Sequence, residues 1–187
     1  MTSQPERDLL LRLARAAIVA HVGGAPLAAI DPNTLDRRRG AAFVSLHTRA
    51  GELRGCIGHL EHDQSLPDVV ARCAVAACSA DPRFTAVSPA EVGELQIELS
   101  LLGPLEPVAG AVEIEIGRHG LVIEKGSRRG LLLPQVATEW KWDGRRFLAE
   151  TCRKAGLPQD AWEHGARIWR FEAEVFGDDP PSSGSSR

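Results

Sequence analysis

The chain contains 187 residues, 43% of them hydrophobic and 25% charged, and it carries a net charge of −3 at pH 7. This is the length and composition of a globular protein with one domain or two small lobes. The weak negative charge argues against nucleic acid or an anionic membrane surface as a partner.

The first elements are predicted from hydrophobic spacing. Residues 6–22 have the spacing of an amphipathic helix, and Gly23 ends it. The charges scattered through this helix do not suit a signal peptide, and no apolar run reaches the roughly 18 residues of a membrane span. We therefore expect a cytoplasmic protein with no membrane partner. Residues 24–40 predict a long connection, because they are rich in turn-forming residues.

The next part of the chain predicts a hairpin followed by a helix. In the segment AAFVSLHTRAGELRGCIGHLE, alternating hydrophobic residues make 42–47 and 53–58 antiparallel neighbours. Ser65, Pro67 and Asp68 have the residue types of a helix start. They can cap the first turn, fit its backbone and complement the helix dipole.

Three further elements follow this helix. Ser88 and Glu91 have the spacing of a capping box, which predicts a short helix after them. The segment LQIELSLL alternates as a strand whose leucine and isoleucine side chains face a core, and GRHGLVIEKGSRRGLLLP predicts a second hairpin. Asp143 predicts the cap of a helix over residues 144–155.

The C-terminal region predicts one more strand and a tail. The segment IWRFEAEVF places Trp169, Phe171, Ala173 and Val175 on one face of a strand, and residues 178–187 predict a disordered tail. Because hairpins are interspersed with helices, the sequence predicts the α+β class, with antiparallel or mixed sheets and flanking helices.

The stretch LRGCIG contains the strongest candidate for chemistry, Cys56. The two-residue period of a strand places Arg54, Cys56 and Gly58 on one face. It places Leu53 and Ile57 on the other, where they would cover a core. The glycines around the thiol either let a ligand approach or accommodate a bulge or a tightly packed neighbour.

The charge next to Cys56 decides what the thiol can do. An Arg54 guanidinium close to the sulfur would stabilise the thiolate and lower the thiol pKa. If a carboxylate such as Asp81 or Glu98 pairs with Arg54 instead, the thiol behaves as an ordinary buried one. The site then favours binding over catalysis.

A catalytic thiol also needs a base, and such a partner meets it only in the folded chain. The candidates are His47, His59 and His119. We take His119 as the catalytic candidate, because it lies between glycine-containing turns and is the freest to reach a cleft.

The sequence predicts no metal site and no cofactor. The four cysteines include no C-x-x-C pair, and we expect Cys73 and Cys78 to be small buried residues. The spacing of His59 and His62 suits two metal ligands only on a helix, whereas this segment leaves a strand. No phosphate-binding glycine loop or dinucleotide fingerprint is present.

Two other motifs have polar residues in unusual positions. Asp81 and Arg83, in the segment DPRF, would pair with each other and fix the end of a helix. Gln135 and Trp140, in LLLPQVATEW, either line a cleft or cover the edge of a core.

Six stretches occur in a characteristic order over roughly residues 40–176. They are GAAFVSLHTRAGELRGCIGHLE, AACSADPRF, LQIELSLLGPLEPV, GRHGLVIEKGSRRGLLLPQVATEWKWD, FLAETCRKAGLP and FEAEVF. Together they resemble the AMMECR-one domain family, also called AmmeMemoRadiSam system protein A. The family motif picks out as site residues Arg54, Cys56, Gly58, Asp81, Arg83, Gln135 and Trp140.

The resemblance implies an organisation and a set of partners. It implies one domain over residues 1–177, in two lobes with a cleft between them, the larger lobe being built from both termini. It also implies two protein partners, a radical S-adenosylmethionine (SAM) protein and a Memo-like protein of dioxygenase-like fold.

Two functions are compatible with these residues. In the first, the cleft binds a small anionic metabolite, with Arg54 as a clamp for its carboxylate or phosphate and Cys56 as a reactive thiol. In the second, the protein is a non-catalytic binding or adapter module for its protein partners. The reactivity of the thiol at neutral pH distinguishes these two hypotheses.

Overall fold

The computed structural model describes residues 2–27 and 38–178, so most of the predicted connection and nearly all of the predicted tail lie outside the described residues. The chain forms two compact units. Unit 1 comprises the chain up to Leu102 together with the segment from Glu174, and unit 2 comprises Gly103–Ala173. Both combine antiparallel strands with helices, which confirms the predicted α+β class.

Unit 1 begins with a helix and continues as a sheet with a second helix. Its elements are helix α1 (Gln4–Val22), strands β1 (Ala41–His47) and β2 (Leu53–His59), helix α2 (Leu66–Ser79) and strand β3 (Gln96–Leu102). Strand β1 lies in the middle and pairs antiparallel with β2 and β3, so the first predicted hairpin is confirmed. Ser65 caps α2 as predicted, since its side chain accepts a hydrogen bond from the N–H of Asp68.

The core of unit 1 lies between its two helices and one face of the sheet. Alternate residues of the strands point into this core, among them Val44, Leu46, Ile97 and Leu99. The predicted core face of β3 is therefore correct. Cys73 and Cys78 are buried in the same core, as the sequence predicts.

Unit 2 is a second antiparallel arrangement with its own core. Its elements are β4 (Glu106–Pro107), β5 (His119–Lys125), β6 (Arg128–Leu132), α3 (Pro134–Glu139), α4 (Gly144–Lys154) and the first part of β7 (Arg167–Gly177). Strand β5 pairs with β6 and β7, and β4 pairs with β7. The predicted second hairpin is thus confirmed.

Helix α4 supplies most of the apolar cover of unit 2. Asp143 accepts a hydrogen bond from the N–H of Arg146 and caps the helix as predicted. Phe147, Leu148 and Cys152 of α4 pack against apolar residues of β5.

The structure adds three details that the sequence did not supply. The Ser88–Glu91 capping pair does form, but only one 3₁₀ turn follows (Val92–Glu94), because the chain enters β3 directly after it. Val175 is 42% exposed and does not join buried Phe171 in a core. Helix α3 was not predicted, because its six residues are too few to show a helical period.

Within the described residues, no helix is long and apolar enough to cross a membrane.

Candidate functional site

Cys56 lies in the middle of β2, on the sheet face that points away from the helices of unit 1. Its cross-strand neighbour on β1 is Ser45, and the neighbour of Ser45 on β3 is Glu98, so the three side chains form one row across the sheet. The Ser45 hydroxyl donates a hydrogen bond to the Cys56 sulfur at 3.3 Å. The thiol is therefore held in place on a polar strip of the sheet.

Asp81 ties this strip to the end of α2. Its Oδ2 accepts the backbone N–H of Cys56 at 2.9 Å. The guanidinium of Arg83 binds both carboxylate oxygens, with Nε 2.9 Å from Oδ1 and Nη2 2.6 Å from Oδ2. These bonds to Arg83, together with those to backbone N–H groups, outweigh burial and hold the pKa of Asp81 well below its usual value. The predicted Asp81–Arg83 pair is present in the structure.

Arg83 is the cation whose charge acts on the thiol. Its Nη2 lies 3.5 Å from the backbone oxygen of Cys56, and its charge acts to lower the Cys56 pKa. The side chain of Arg83 is 50% exposed, whereas that of Asp81 is only 2% exposed. Nη1 of Arg83 makes no hydrogen bond to any of the described residues, so this edge of the guanidinium is available to a ligand.

The side chain of Arg54 is held by Glu91 and by a backbone oxygen. Its Nε lies 2.8 Å from Oε1 of Glu91, and its Nη1 donates to the backbone oxygen of Thr85 at 2.9 Å. Its side chain is only 14% exposed. The bond from Arg54, followed by those from Ser88, lowers the pKa of Glu91 to about 2. The carboxylate that pairs with Arg54 is therefore that of Glu91, not that of Asp81 or Glu98.

The surroundings of the Cys56 thiol favour its protonated form. Burial is the largest influence and raises its pKa above the ordinary value. The Ser45 hydrogen bond and the charge of Arg83 oppose this shift, and the charges of Asp81 and Glu98 add to it. The thiol therefore stays protonated at neutral pH. Of the two alternatives stated from the sequence, the structure agrees with the ordinary buried thiol.

The glycines around Cys56 serve packing and do not open a path to the sulfur. A Cβ atom at Gly55 would lie 2.1 Å from the backbone oxygen of Ala77, so this glycine lets β2 approach α2. A Cβ atom at Gly58 would lie 2.3 Å from the ring of Phe43, its cross-strand neighbour. Of the alternatives that the sequence leaves open, the tightly packed neighbour is correct.

His119 belongs to unit 2, at the start of β5. It is 7% exposed, and its Nδ1 accepts the backbone N–H of Glu115 at 2.9 Å. Burial lowers the pKa of His119, and the charges of Arg170 and Arg118 lower it further. None of the hydrogen bonds described for Cys56 involves this histidine.

Gln135 and Trp140 also lie in unit 2, in and just after α3, and Gln135 is partly buried. Trp140 is 68% exposed and stacks on Trp142, with the ring centroids 6.1 Å apart. Trp142 packs against the core of unit 2.

The turn between the two tryptophans is fixed by a Schellman arrangement, in which the N–H groups of Lys141 and Trp142 bind the carbonyls of Thr138 and Ala137. Lys141 adopts the left-handed backbone there, with φ at 54°. Trp140 is thus an exposed aromatic residue on a rigid support.

The histidines discounted as metal ligands have other contacts. His59 Nε2 lies 2.6 Å from Oδ1 of Asp63, and His62 Nε2 lies 3.1 Å from the backbone oxygen of Leu102. Among residues 2–27 and 38–178, no three His, Cys, Asp or Glu side chains are arranged to hold a metal ion.

Sequence reasoning missed Ser45 and Glu91 as neighbours of the motif. The strand register of the predicted hairpin contains the signal for Ser45, because residue 45 lies opposite residue 56 when 42–47 pairs with 53–58. Glu91 could not be found in this way, because it reaches Arg54 from a loop 37 positions away.

Comparison with known proteins places the chain among proteins of similar length. A family model described as AMMECR1 matches residues 11–176. A protein of Methanothermobacter thermautotrophicus is 42% identical over 188 residues, covering 95% of this chain and 96% of that protein. Protein MJ0810 of Methanocaldococcus jannaschii is 40% identical, covering 94% and 92%. The crystal structure of an uncharacterised protein from Pyrococcus horikoshii aligns with a TM-score of 0.89 at 36% identity, covering 96% and 95%.

Proposed function

This chain belongs to the AMMECR1 domain family, whose function is unsettled, and from that premise we propose that unit 1 binds a small anionic metabolite without covalent chemistry. The ligand site is the exposed edge of Arg83 next to Cys56. A carboxylate or phosphate is the ligand group that the geometry suits best, because a guanidinium binds such oxygens through charge-assisted hydrogen bonds.

The observation that supports this proposal most strongly is the way Arg83 is held. Its partner Asp81 is buried and also accepts a backbone N–H, so the guanidinium is fixed before any ligand arrives. A fixed donor loses little conformational entropy on binding. The half-exposed side chain then presents its free Nη1 edge outward.

Cys56 acts in this proposal as a neutral polar neighbour. A protonated thiol does not repel an incoming anion, whereas a thiolate would. The raised pKa of Cys56 keeps it in that neutral form. The same property counts against the alternative in which Cys56 is a nucleophile, because the thiolate is the reactive species.

The test measures protection of Cys56 from alkylation by iodoacetamide, with inorganic phosphate and acetate as probes. We expect saturable protection in the unmodified protein and at least about tenfold weaker protection in Arg83→Gln, because about 1.4 kcal/mol corresponds to a tenfold change in affinity. Arg49→Gln is the matched control, since Arg49 is an exposed arginine of the same unit, paired with Glu94. Equal protection of Arg83→Gln and the unmodified protein would refute the proposal.

An adapter role is the second candidate function, and the exposed Trp140 favours it. Tryptophan is enriched among the residues that dominate protein interfaces, and its stacking on Trp142 holds it in place. The resemblance implies a radical SAM protein and a Memo-like protein as the partners. This function does not depend on the anion site of unit 1.

Binding of the purified radical SAM protein and of the Memo-like protein tests the adapter role. We expect Trp140→Ala to weaken one of these complexes by about 2 kcal/mol or more. Val112→Ala is the matched control, because Val112 is another exposed apolar residue of unit 2. It should leave the affinity of the complex unchanged. Unchanged binding of both proteins by Trp140→Ala would exclude Trp140 as the docking residue.

A further inference from the structure

Strand β2 lies at the edge of its sheet, next to β1. Cys56 is opposite Ser45 of β1, yet its backbone N–H donates to Asp81 and not to that strand. In an antiparallel pair, the backbone groups of alternate residues point towards the partner strand, and those of the residues between them point away. The N–H and C=O groups of Cys56 and Gly58 therefore point outward from the sheet edge.

The Asp81–Arg83 pair occupies this edge at Cys56. The carboxylate of Asp81 accepts the N–H of Cys56 at 2.9 Å, and Nη2 of Arg83 lies 3.5 Å from the Cys56 oxygen. The pair thus meets both outward groups of Cys56, as the backbone of another strand would. A peptide that adds to the edge of β2 must consequently end before it reaches Cys56.

Gly58 is the next residue of β2 whose backbone points outward, and it is partly exposed. Apart from the pairing of β2 with β1, no hydrogen bond within residues 2–27 and 38–178 involves its N–H or its C=O. Unpaired backbone groups on an edge strand are the groups to which an additional strand binds. The edge therefore offers a donor and an acceptor two residues from the position that Arg83 occupies.

Only one direction of an added peptide suits this arrangement. A residue paired antiparallel with Gly58 donates its own N–H to the Gly58 oxygen and accepts the Gly58 N–H with its carbonyl end. That carbonyl end points back along β2 towards Cys56, where Arg83 lies. In the last residue of a chain this end is a carboxylate, whose second oxygen is directed towards the guanidinium. A parallel peptide would bring its positively charged N-terminus there instead.

The terminal side chain of such a peptide has an apolar surface to contact. Gly58 has no side chain, and the ring of its cross-strand neighbour Phe43 lies 2.3 Å from where a Cβ atom of residue 58 would be. Residues opposite each other on adjacent strands have their side chains on the same face. A side chain opposite Gly58 is therefore adjacent to the Phe43 ring, which is partly exposed. This favours an apolar or aromatic terminal residue.

We infer that the edge of β2 binds the free C-terminal end of a short peptide in the antiparallel direction. The terminal carboxylate lies between the N–H of Gly58 and the guanidinium of Arg83. The terminal N–H donates to the Gly58 oxygen, and the terminal side chain packs on Phe43. This inference rests on the anion site proposed above for Arg83 and names the class of ligand that the site takes.

The test titrates the intact ¹⁵N-labelled protein with N-acetyl-glycyl-phenylalanine and follows the backbone amide signal of Gly58 by NMR. Three matched probes each lack one part of this ligand. The C-terminal amide of the peptide lacks the carboxylate, the peptide N-methylated at its terminal residue lacks the N–H, and acetate lacks the peptide.

We expect the free acid to shift the Gly58 signal saturably and to bind at least about tenfold more tightly than the amide or acetate, because each of these lacks one of the two sets of contacts. N-methylation should weaken binding about fivefold, because the hydrogen bond to the Gly58 oxygen is lost.

Variants test the protein groups that contact the ligand. Arg83→Gln should remove most of the preference for the free acid over its amide, because the group that recognises the carboxylate is lost. Arg49→Gln is the control and should keep this preference, since Arg49 is an exposed arginine of the same unit. Phe43→Leu should weaken binding of the free acid and of the amide by the same factor, because both contact the ring.

Failure of this inference can be distinguished from failure of the proposed anion site. If acetate and phosphate protect Cys56 but the free acid binds no more tightly than acetate, the anion site stands and the peptide inference is wrong. Equal affinities of the unmodified protein for the free acid and its amide, or binding that leaves the Gly58 signal unchanged, would also overturn it.

Discussion

The surroundings of Cys56 in unit 1 and of His119 in unit 2 are built from the same kinds of groups but expose opposite partners of an ion pair. In each, a titratable side chain on a strand is kept neutral by burial and lies beside an arginine–carboxylate pair. In unit 1 the carboxylate of Asp81 is buried and Arg83 is half exposed. In unit 2 the carboxylate of Glu106 is 58% exposed, and Arg170 is only 30% exposed.

This difference shows that the buried partner of an ion pair decides what the pair offers to a ligand. The buried group is already satisfied by neighbouring protein groups, as Asp81 is by the N–H of Cys56 and Arg170 is by the backbone oxygen of Glu113. Only the exposed partner is available for a new contact. The pair in unit 1 therefore exposes its guanidinium, whereas the pair in unit 2 exposes its carboxylate.

The largest expected effect comes from disturbing the close packing of the strand that carries Cys56. Gly55→Ala places a methyl group against the backbone oxygen of Ala77, which cannot move aside as a flexible side chain could. We expect the free energy of unfolding to fall by about 3 kcal/mol, measured by urea denaturation. Gly93→Ala is the control, because a Cβ atom there meets nothing within 4 Å. If the two variants were equally stable, close packing of β2 on α2 would not position the thiol.

The next largest effect compares the loss of the buried carboxylate of Asp81 with the loss of the exposed carboxylate of Glu106. Asp81→Asn leaves the guanidinium of Arg83 without its charged partner and should lower the free energy of unfolding by about 2 kcal/mol at pH 7. Glu106→Gln should cost only about 0.5 kcal/mol, because its pair is largely exposed. Equal losses in the two variants would contradict the contrast between the units.

The pH dependence of Asp81→Asn provides a further check. The pKa of Asp81 is lowered in the folded protein, so its stabilising contribution is present above the unfolded value of about 3.9. That contribution is lost as the pH falls towards the folded value. The stability difference between the unmodified protein and Asp81→Asn should therefore shrink below about pH 4.

The third prediction concerns the reactivity of Cys56. The pH midpoint of its alkylation should lie above that of an ordinary cysteine, because burial raises the pKa. Arg83→Gln should move the midpoint higher still, since the positive charge near the sulfur is lost. Arg54→Gln should move it less, because Glu91 already neutralises Arg54. The reverse order of the two arginine variants would restore Arg54 as the residue that controls the thiol.

The smallest effect concerns His119. Its folded pKa lies below the unfolded value of about 6.5. Between those two values the unfolded state binds more protons, so stability is highest above pH 6.5 and falls as the pH drops through this window. His119→Gln should flatten this part of the pH–stability curve. A pH–stability curve that keeps its slope in His119→Gln, measured by urea denaturation, would contradict this expectation.

The sequence alone was sufficient for the local elements and the faces of most strands. Caps such as Ser65 and Asp143 act within one helical turn, and the alternation in β1, β2 and β3 follows from the pleat of a strand. These features depend on residues a few positions apart, so they can be inferred from residue type and spacing. The pairing of Asp81 with Arg83 belongs to the same class, because two positions separate them.

Only the tertiary structure decided which charged side chains pair with each other and which lie beside the thiol. In the sequence Arg54 is the arginine next to Cys56 and Arg83 is 27 positions away, yet Glu91 reaches Arg54 from a distant loop and Arg83 lies beside the thiol strand. The exposed partner of each ion pair was also undetermined, because burial of the other partner depends on packing throughout a unit. Spacing along the chain determines short-range geometry, whereas desolvation and long-range pairing arise only when distant segments pack together.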